Sequence, residues 1–180
     1  MKAPLLQSEN SKLKLIVPVV ERDAQLGVIW LNGERGRSTL ELMGVQKKDI
    51  EQPNIHHERE RIRNFIEKEN QLNWMIEFNG KVVGSVWVDL EPKDYLPSPA
   101  VHIMIGEPEA RGLGVGTESI KLVVEYLKNQ GFENLYSRAL TTNSVARSLL
   151  LINGFKLYRD RYTDKDGVEW QNVAVNLKSE

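Results

Sequence analysis

Cysteine is missing from this 180-residue chain. Its absence excludes disulfides, a thiol nucleophile and every thiolate metal site, without fixing a compartment. Long apolar runs are missing too. The longest stretch without Asp, Glu, Lys or Arg runs from Tyr95 to Gly106 and carries Pro97, Pro99 and His102, whereas a membrane helix needs about 20 apolar residues. Residues 1–12 lack the apolar segment of a signal peptide, so the cytoplasm is the default expectation. Neither sign of charge dominates. Lys and Arg total 24 against 25 Asp and Glu, a formal net charge of -1, which offers no general pull toward nucleic acid or an acidic membrane. No repeat, low-complexity block or Pro/Gly/Ser linker divides the chain. Its 41% hydrophobic and 27% charged residues describe a foldable globule rather than a disordered chain. One domain over residues 1–180 is expected, with its core over roughly 12–178.

Hydrophobic spacing orders the elements. Lys12–Val17 reads as a strand closed by Pro18, and Asp23 as the N-cap of a helix carrying Leu26, Ile29 and Trp30 on one side, broken by Gly33 and Gly36. Residues 37–55 are mixed, with a short helix around Leu40–Met43. His56–Asn70 reads as an exposed helix with a narrow stripe of Ile62, Phe65 and Ile66. Asn73–Phe78 and Lys81–Leu90, joined by Asn79-Gly80, form a hairpin, since Asn-Gly tolerates the two positive φ angles of a type I′ turn. A loop with three prolines, Glu91–Pro99, leads to the strand Ala100–Ile105. Ile120, Val123, Val124 and Leu127 mark the buried face of a helix over Thr117–Gln130, stopped by Gly131. Leu135–Leu140 is a strand. Asn143 or Ser144 caps a helix ended by Asn153-Gly154, and strands Phe155–Arg161 and Val168–Leu177 meet across Asp166-Gly167. The order predicts a mixed α/β sheet, antiparallel early with helical crossovers later, and not a doubly wound nucleotide fold.

The informative segment is Arg111-Gly112-Leu113-Gly114-Val115-Gly116-Thr117, between a strand and the best helix. Glycines on alternate positions let backbone N–H groups converge, and the helix N-terminus adds partial positive charge; together they suit a phosphate or pyrophosphate. A dinucleotide fingerprint fails on spacing, and a Walker A loop fails because Thr117 stands where Lys is needed. A bare glycine-rich turn with no ligand is the alternative that spacing alone leaves open.

Two motifs together carry a resemblance. Arg111, Gly114 and Gly116 match a [Q/R]-x-x-G-x-[G/A] loop, and Asn143, Ala146, Leu149, Gly154 and Phe155 match a downstream signature ending in Gly-Phe. In both, the chain resembles the GNAT superfamily of acyl-CoA N-acyltransferases, and the element order extends the likeness over Leu13–Leu177. The resemblance implies a single-domain α/β (α+β) fold with a mostly antiparallel sheet of about six to seven strands, helices on both faces and a central strand pair, Ala100–Ile105 and Leu135–Leu140, splayed around acetyl-CoA. It implies that backbone groups of Met104, Ile105 and Gly106 face the pantetheine arm. It places the pyrophosphate on the amides of Gly112, Leu113, Gly114, Val115, Gly116 and Thr117, beside Arg111. Asn143 would reach the arm or pyrophosphate, or be a plain N-cap, or both. Arg147 would approach a phosphate or lie on a solvated helix face. Family members are often dimers, so a homodimer is an assembly the sequence leaves open. No metal is implied, and His56-His57-Glu58 lacks ligand spacing on a helix.

The implied reaction is attack of a neutral amine on the thioester. An alkyl ammonium with a pKa near ~10 must first lose a proton. The chain departs from the family here: Leu150 stands where many members carry a Tyr acid, and Arg138 where some carry a Glu base. His102 is the remaining candidate base, since imidazole titrates in the useful range; a half-buried strand histidine with a hydrogen-bond partner is the alternative. Glu91, Asp94 and Glu107 could attract a cationic amine or simply be solvated, and Tyr136 and Tyr158 could donate a proton or pack in the sheet. Trp30 could line the acceptor pocket. The leading expectation is an acetyl-CoA-dependent N-acetyltransferase acting on a primary amine, whether of a small molecule, polyamine, aminoglycoside or protein. A non-catalytic acyl-CoA-binding sensor and a binding domain for another nucleotide are its rivals.

Overall fold

The computed structural model describes residues 2–178; residues 1, 179 and 180 of the expected domain lie outside the described residues. Its elements are β1 (Leu6–Gln7), β2 (Leu13–Ile16), α1 (Val20–Leu31), α2 (Gly33–Leu42), α3 (Ile55–Glu67), β3 (Gln71–Phe78), β4 (Lys81–Asp89), β5 (Ala100–Ile105), α4 (Val115–Asn129), β6 (Asn134–Leu140), α5 (Ser144–Ile152), β7 (Lys156–Leu157), β8 (Tyr162–Thr163) and β9 (Glu169–Asn176). The strands form one sheet in the order β1-β2-β3-β4-β5-β6-β9-β7, and β8 follows β7 along the outer edge of β9. Every pairing is antiparallel except β5 with β6.

The mixed α/β expectation stands, with nine strands among the described residues rather than six to seven. The surplus comes from two-residue pieces. Of the expected strand Phe155–Arg161 only Lys156–Leu157 forms, as β7; Arg159, at φ 60, interrupts the chain, and β8 begins beyond the expected end, while β1 is too short to show a period. Asn79 and Gly80, at φ 51 and 76, make the expected turn between β3 and β4.

Side-chain alternation puts a core on each face. Leu72, Trp74, Ile76, Val86, Val101, Ile120, Val123, Leu127, Leu150 and Phe155 cluster on the side of α4 and α5. Trp30, Leu31, Met75 and Met104 form a smaller cluster under α1 on the other. β3 feeds both, which explains its run of buried residues.

Three local expectations need correction. Asp23 is not the cap of α1: Val19 is, and the buried Asp23 carboxylate reaches back to accept its N–H at 2.6 Å. Ile29 points outward at 67% exposure while Trp30 is buried, because adjacent helical residues lie about 100° apart. Gly36 does not break a helix. It lies inside α2, where a Cβ would stand 2.1 Å from the Leu31 carbonyl oxygen, so its bareness sets the close approach of α1 and α2.

Candidate active site

β5 pairs with β4 along its whole length, and β6 with β9 along all of its own. Between β5 and β6 only Ala100 and Tyr136 are paired. The Tyr136 N–H donates to Pro99 O at 2.9 Å, the Ser137 hydroxyl donates to Val101 O at 2.8 Å, and the strands then part. Each strand follows the twist of its own full-length partner, so a gap opens toward their C-terminal ends.

Register shows which groups face that gap. The Gly106 N–H donates to Val83 O at 2.9 Å. By antiparallel alternation Met104 and His102 then bond toward Ser85 and Trp87, while the main-chain groups of Val101, Ile103 and Ile105 turn to the gap. Met104 and Gly106 therefore direct their amides at β4, unlike the expectation for them; Ile105 faces the gap as expected, and Ile103 was missed. The phase of a hydrogen-bond ladder leaves no mark in the side chains, so no sequence signal marks Ile103.

The glycine turn closes one bank of the gap. Gly112 and Gly114 have φ of 75 and 79, and nothing lies within 4 Å of where either Cβ would be. α4 starts at Val115, two residues before the expected Thr117. Its first ladder bond runs from the Glu118 N–H to Gly114 O at 3.0 Å. The amides of Val115, Gly116 and Thr117 thus precede the ladder, and Gly114, as N-cap, has no side chain to satisfy them. The turn is an open cradle of main-chain donors at a helix N-terminus, an arrangement that favours an anion. Gly116 serves packing instead, since its Cβ would stand 2.5 Å from Leu149 Cδ1 and its bareness lets α4 meet α5. Leu113 is 61% exposed, leaving only its amide for such a role. Arg111 turns back. Its Nε and Nη2 donate to Ile105 O at 3.0 and 2.9 Å, and Nη2 reaches Thr39 Oγ1 at 3.3 Å.

Asn143 stands on the opposite bank. Its Oδ1 accepts the Ala146 N–H at 3.0 Å, the expected N-cap of α5, while Nδ2 donates to Leu42 O at 3.2 Å. Arg147 Nη1 donates to Thr141 O at 3.2 Å, bracing the turn that carries Asn143. α2 is thereby tied to Arg111 through Thr39 and to Asn143 through Leu42, and it bridges the open end of the gap. Gly44, at φ +90, brings the following chain so close that a Cβ would stand 2.4 Å from the Trp170 ring.

The sheet face opposite α4 carries the titratable groups. His102 stacks on Trp87 with ring centroids 5.3 Å apart. Its Nε2 lies 3.2 Å from Asp89 Oδ2 but off the hydrogen-bond line, a close approach rather than a directed bond. Asp89 also takes Lys93 Nζ at 2.9 Å and the Gln71 amide. Burial pushes the Asp89 carboxyl up, yet His102, Lys93 and Gln71 together outweigh it and hold the group well below the usual carboxylate range. Tyr136 packs edge-on against Tyr158 at 5.1 Å, and burial raises its pKa. Leu150 is 3% exposed in the core. Glu91 accepts from Asn70 Nδ2 at 2.7 Å, and Asp94 adopts φ 48 in the loop before β5. Beside the α1–α2 junction a groove of about 660 Å³ is lined by Trp30, Asn32, Arg35, Gly106, Glu107 and Glu109, among others. Trp30 lies flat on Gly106 and donates to Glu107 Oε2 at 3.4 Å. The neighbouring Glu109 raises the Glu107 pKa.

Comparison with known proteins places this geometry. A curated relative, an uncharacterized protein of Methanocaldococcus jannaschii, is 28% identical over 152 residues, covering 82% of this chain and 29% of that protein. The chain thus spans less than a third of that relative's length. A solved ribosomal L7/L12 alpha-N-protein acetyltransferase in complex with coenzyme A superposes with a TM-score of 0.77 at 12% identity, covering 96% of this chain and 98% of the other. Spermidine N-acetyltransferase from Vibrio cholerae, in complex with coenzyme A and spermine, gives 0.71 at 16%, over 93% and 97%. The family model described as the acetyltransferase (GNAT) family matches residues 40–155, from within α2 through the glycine turn to Phe155. With most of its length matched and both motifs inside that span, the chain belongs to the GNAT acetyltransferase family.

Proposed function

We propose that this protein is an acetyl-CoA-dependent N-acetyltransferase that transfers the acetyl group to a primary amine by direct attack. The observation that carries the reading is the gap between β5 and β6, bordered by the main-chain groups of Ile103 and the N–H of Ile105, which turn away from β4, and ending at the open donors of Gly112–Thr117. When bound, acetyl-CoA supplies an activated thioester. The amine nitrogen bonds its carbonyl carbon, the C–S bond breaks, and the proton the amine loses must be taken up. In this reading the Ile103 and Ile105 amides hold the pantetheine arm, and one of them donates to the oxygen on which negative charge develops. The amides of Gly112 to Thr117 hold the diphosphate. Arg111 shapes this cradle by fixing the end of β5, and Asn143 positions the far bank. His102 accepts the proton, with the ionised Asp89 beside it stabilising the imidazolium. The setting is cytoplasmic, where coenzyme A is a common metabolite.

A panel of amino acids, polyamines, aminoglycosides and peptides scored by free-thiol release tests the reading. Turnover of at least one amine is expected, and none with any of them would sink it. The sensor reading is favoured by Leu150, which has no acidic hydrogen and is buried, and by Arg138 at the usual base position. Calorimetric affinity for coenzyme A beside a wholly dead panel would select it.

A further inference from the structure

The row of residues at which β5 and β6 begin to separate is polar. Two positions beyond the Ala100–Tyr136 pair stand His102 on β5 and Arg138 on β6, and Arg138 is in turn paired with Asn172 on β9. The three share the sheet face opposite α4, because paired residues project to the same side. Arg138 is half-buried. Its guanidinium lies 4.2 Å over the Trp170 ring, and Nη1 donates to the Tyr162 hydroxyl at 3.1 Å. Among the described residues no carboxylate lies within salt-bridge distance of it; Asp164, whose pKa it helps to lower from farther off, is engaged by the Trp170 indole at 2.8 Å. Asn172 is 1% exposed. Its Nδ2 donates to Tyr95 O at 2.7 Å, and its Oδ1 has no partner among the described residues. Arg138 is thus a half-buried cation that makes no direct ion pair among the described residues.

We propose that this row selects the acceptor: the amine transferred to is one that carries a carboxylate close to it, as an amino acid does. The carboxylate pairs with Arg138, whose planar guanidinium is held by Trp170 and Tyr162 with donors to spare. The amine then lies on the His102 side of the gap, beside the thioester position. Polyamines and aminoglycosides, which bring only positive charge, meet an unpaired cation there and are disfavoured. This deepens the transferase reading and rests on it.

The experiment compares matched acceptors, lysine against cadaverine and glutamate against γ-aminobutyrate, together with spermidine, by steady-state thiol release. For the wild type the α-carboxylate-bearing member of each pair should lead in kcat/KM by at least about tenfold. R138M, which keeps an apolar stem over Trp170, should erase that lead mainly through KM, and R138K should restore part of it. The same ligands are titrated into the coenzyme A complex by calorimetry, so that a slow chemical step cannot hide selection. Binding of the amino acid that weakens by about tenfold in R138M supports the proposal. Equal turnover of both members, a lead for the amines lacking the carboxylate, an unchanged lead in R138M, or no binding of either amino acid overturns it while leaving the transferase reading intact. A protein that binds no coenzyme A overturns both.

Discussion

Gly114 combines a left-handed backbone, open space before it and the N-cap of α4, so any side chain there meets strain and occupies the cradle at once. Gly114→Glu adds a carboxylate where a diphosphate is proposed to sit. Coenzyme A binding is expected to fall by at least about a hundredfold, measured by calorimetry, and undiminished binding would remove the turn from the site. Asp89 makes a separate statement about pH. Its pKa is lowered in the folded protein, so it contributes stability above its unfolded value of about 4, lost progressively as pH falls below that. Urea midpoints should therefore show wild type ahead of Asp89→Asn at neutral pH, with the difference shrinking in acid below about pH 4. A difference independent of pH would mean that the charge is not what Lys93 and His102 recognise.

Helix α2 shows how one element couples two others. Gly36 admits it against the end of α1, Thr39 meets Arg111 on the β5 bank, and Leu42 meets Asn143 on the β6 bank. Gly36→Ala forces a Cβ into the Leu31 carbonyl and should cost about 1–3 kcal/mol, read from denaturant unfolding. Asn143→Ala removes the cap of α5 and the tie to Leu42, and should cost about 1 kcal/mol as well as weakening coenzyme A binding. If affinity holds while stability falls, Asn143 is a cap alone. For β5, replacing the Ile103 amide by an ester removes one gap-facing donor and no ladder bond to β4. A kcat loss of about a hundredfold would identify that N–H as the donor to the developing oxyanion, and no loss would move the role to Ile105.

At the scale of the whole molecule the sheet has two halves, β1–β5 and β6–β9, joined along a single parallel pair. A ligand in the gap touches both and must stabilise the fold by linkage, about 2.7 kcal/mol at a hundred times its Kd. Hydrogen exchange should slow most at the amides of Ile103, Ile105 and Val115–Thr117; protection spread evenly over the chain would contradict binding in the gap. Much of this architecture was legible beforehand, because local physics encodes it: Asn79-Gly80 permits only a tight turn, the stripe of Ile120, Val123 and Leu127 only one buried helix face, and Arg111–Gly116 with Asn143–Phe155 a recognisable pair of motifs. Other features were settled by partners distant in the chain. Ladder phase decided that Ile103 rather than Met104 faces the gap, since N–H direction depends on which strand arrives alongside. Twist decided where β5 and β6 part. Packing turned Gly36 from a breaker into a helix contact and Asp23 from a cap into a buried brace. Residue order determined the elements and the glycine turn through short-range sterics and periodicity. The gap, the bridge made by α2 and the row from His102 to Asn172 exist only after the strands assemble, because each depends on groups brought together from opposite parts of the chain.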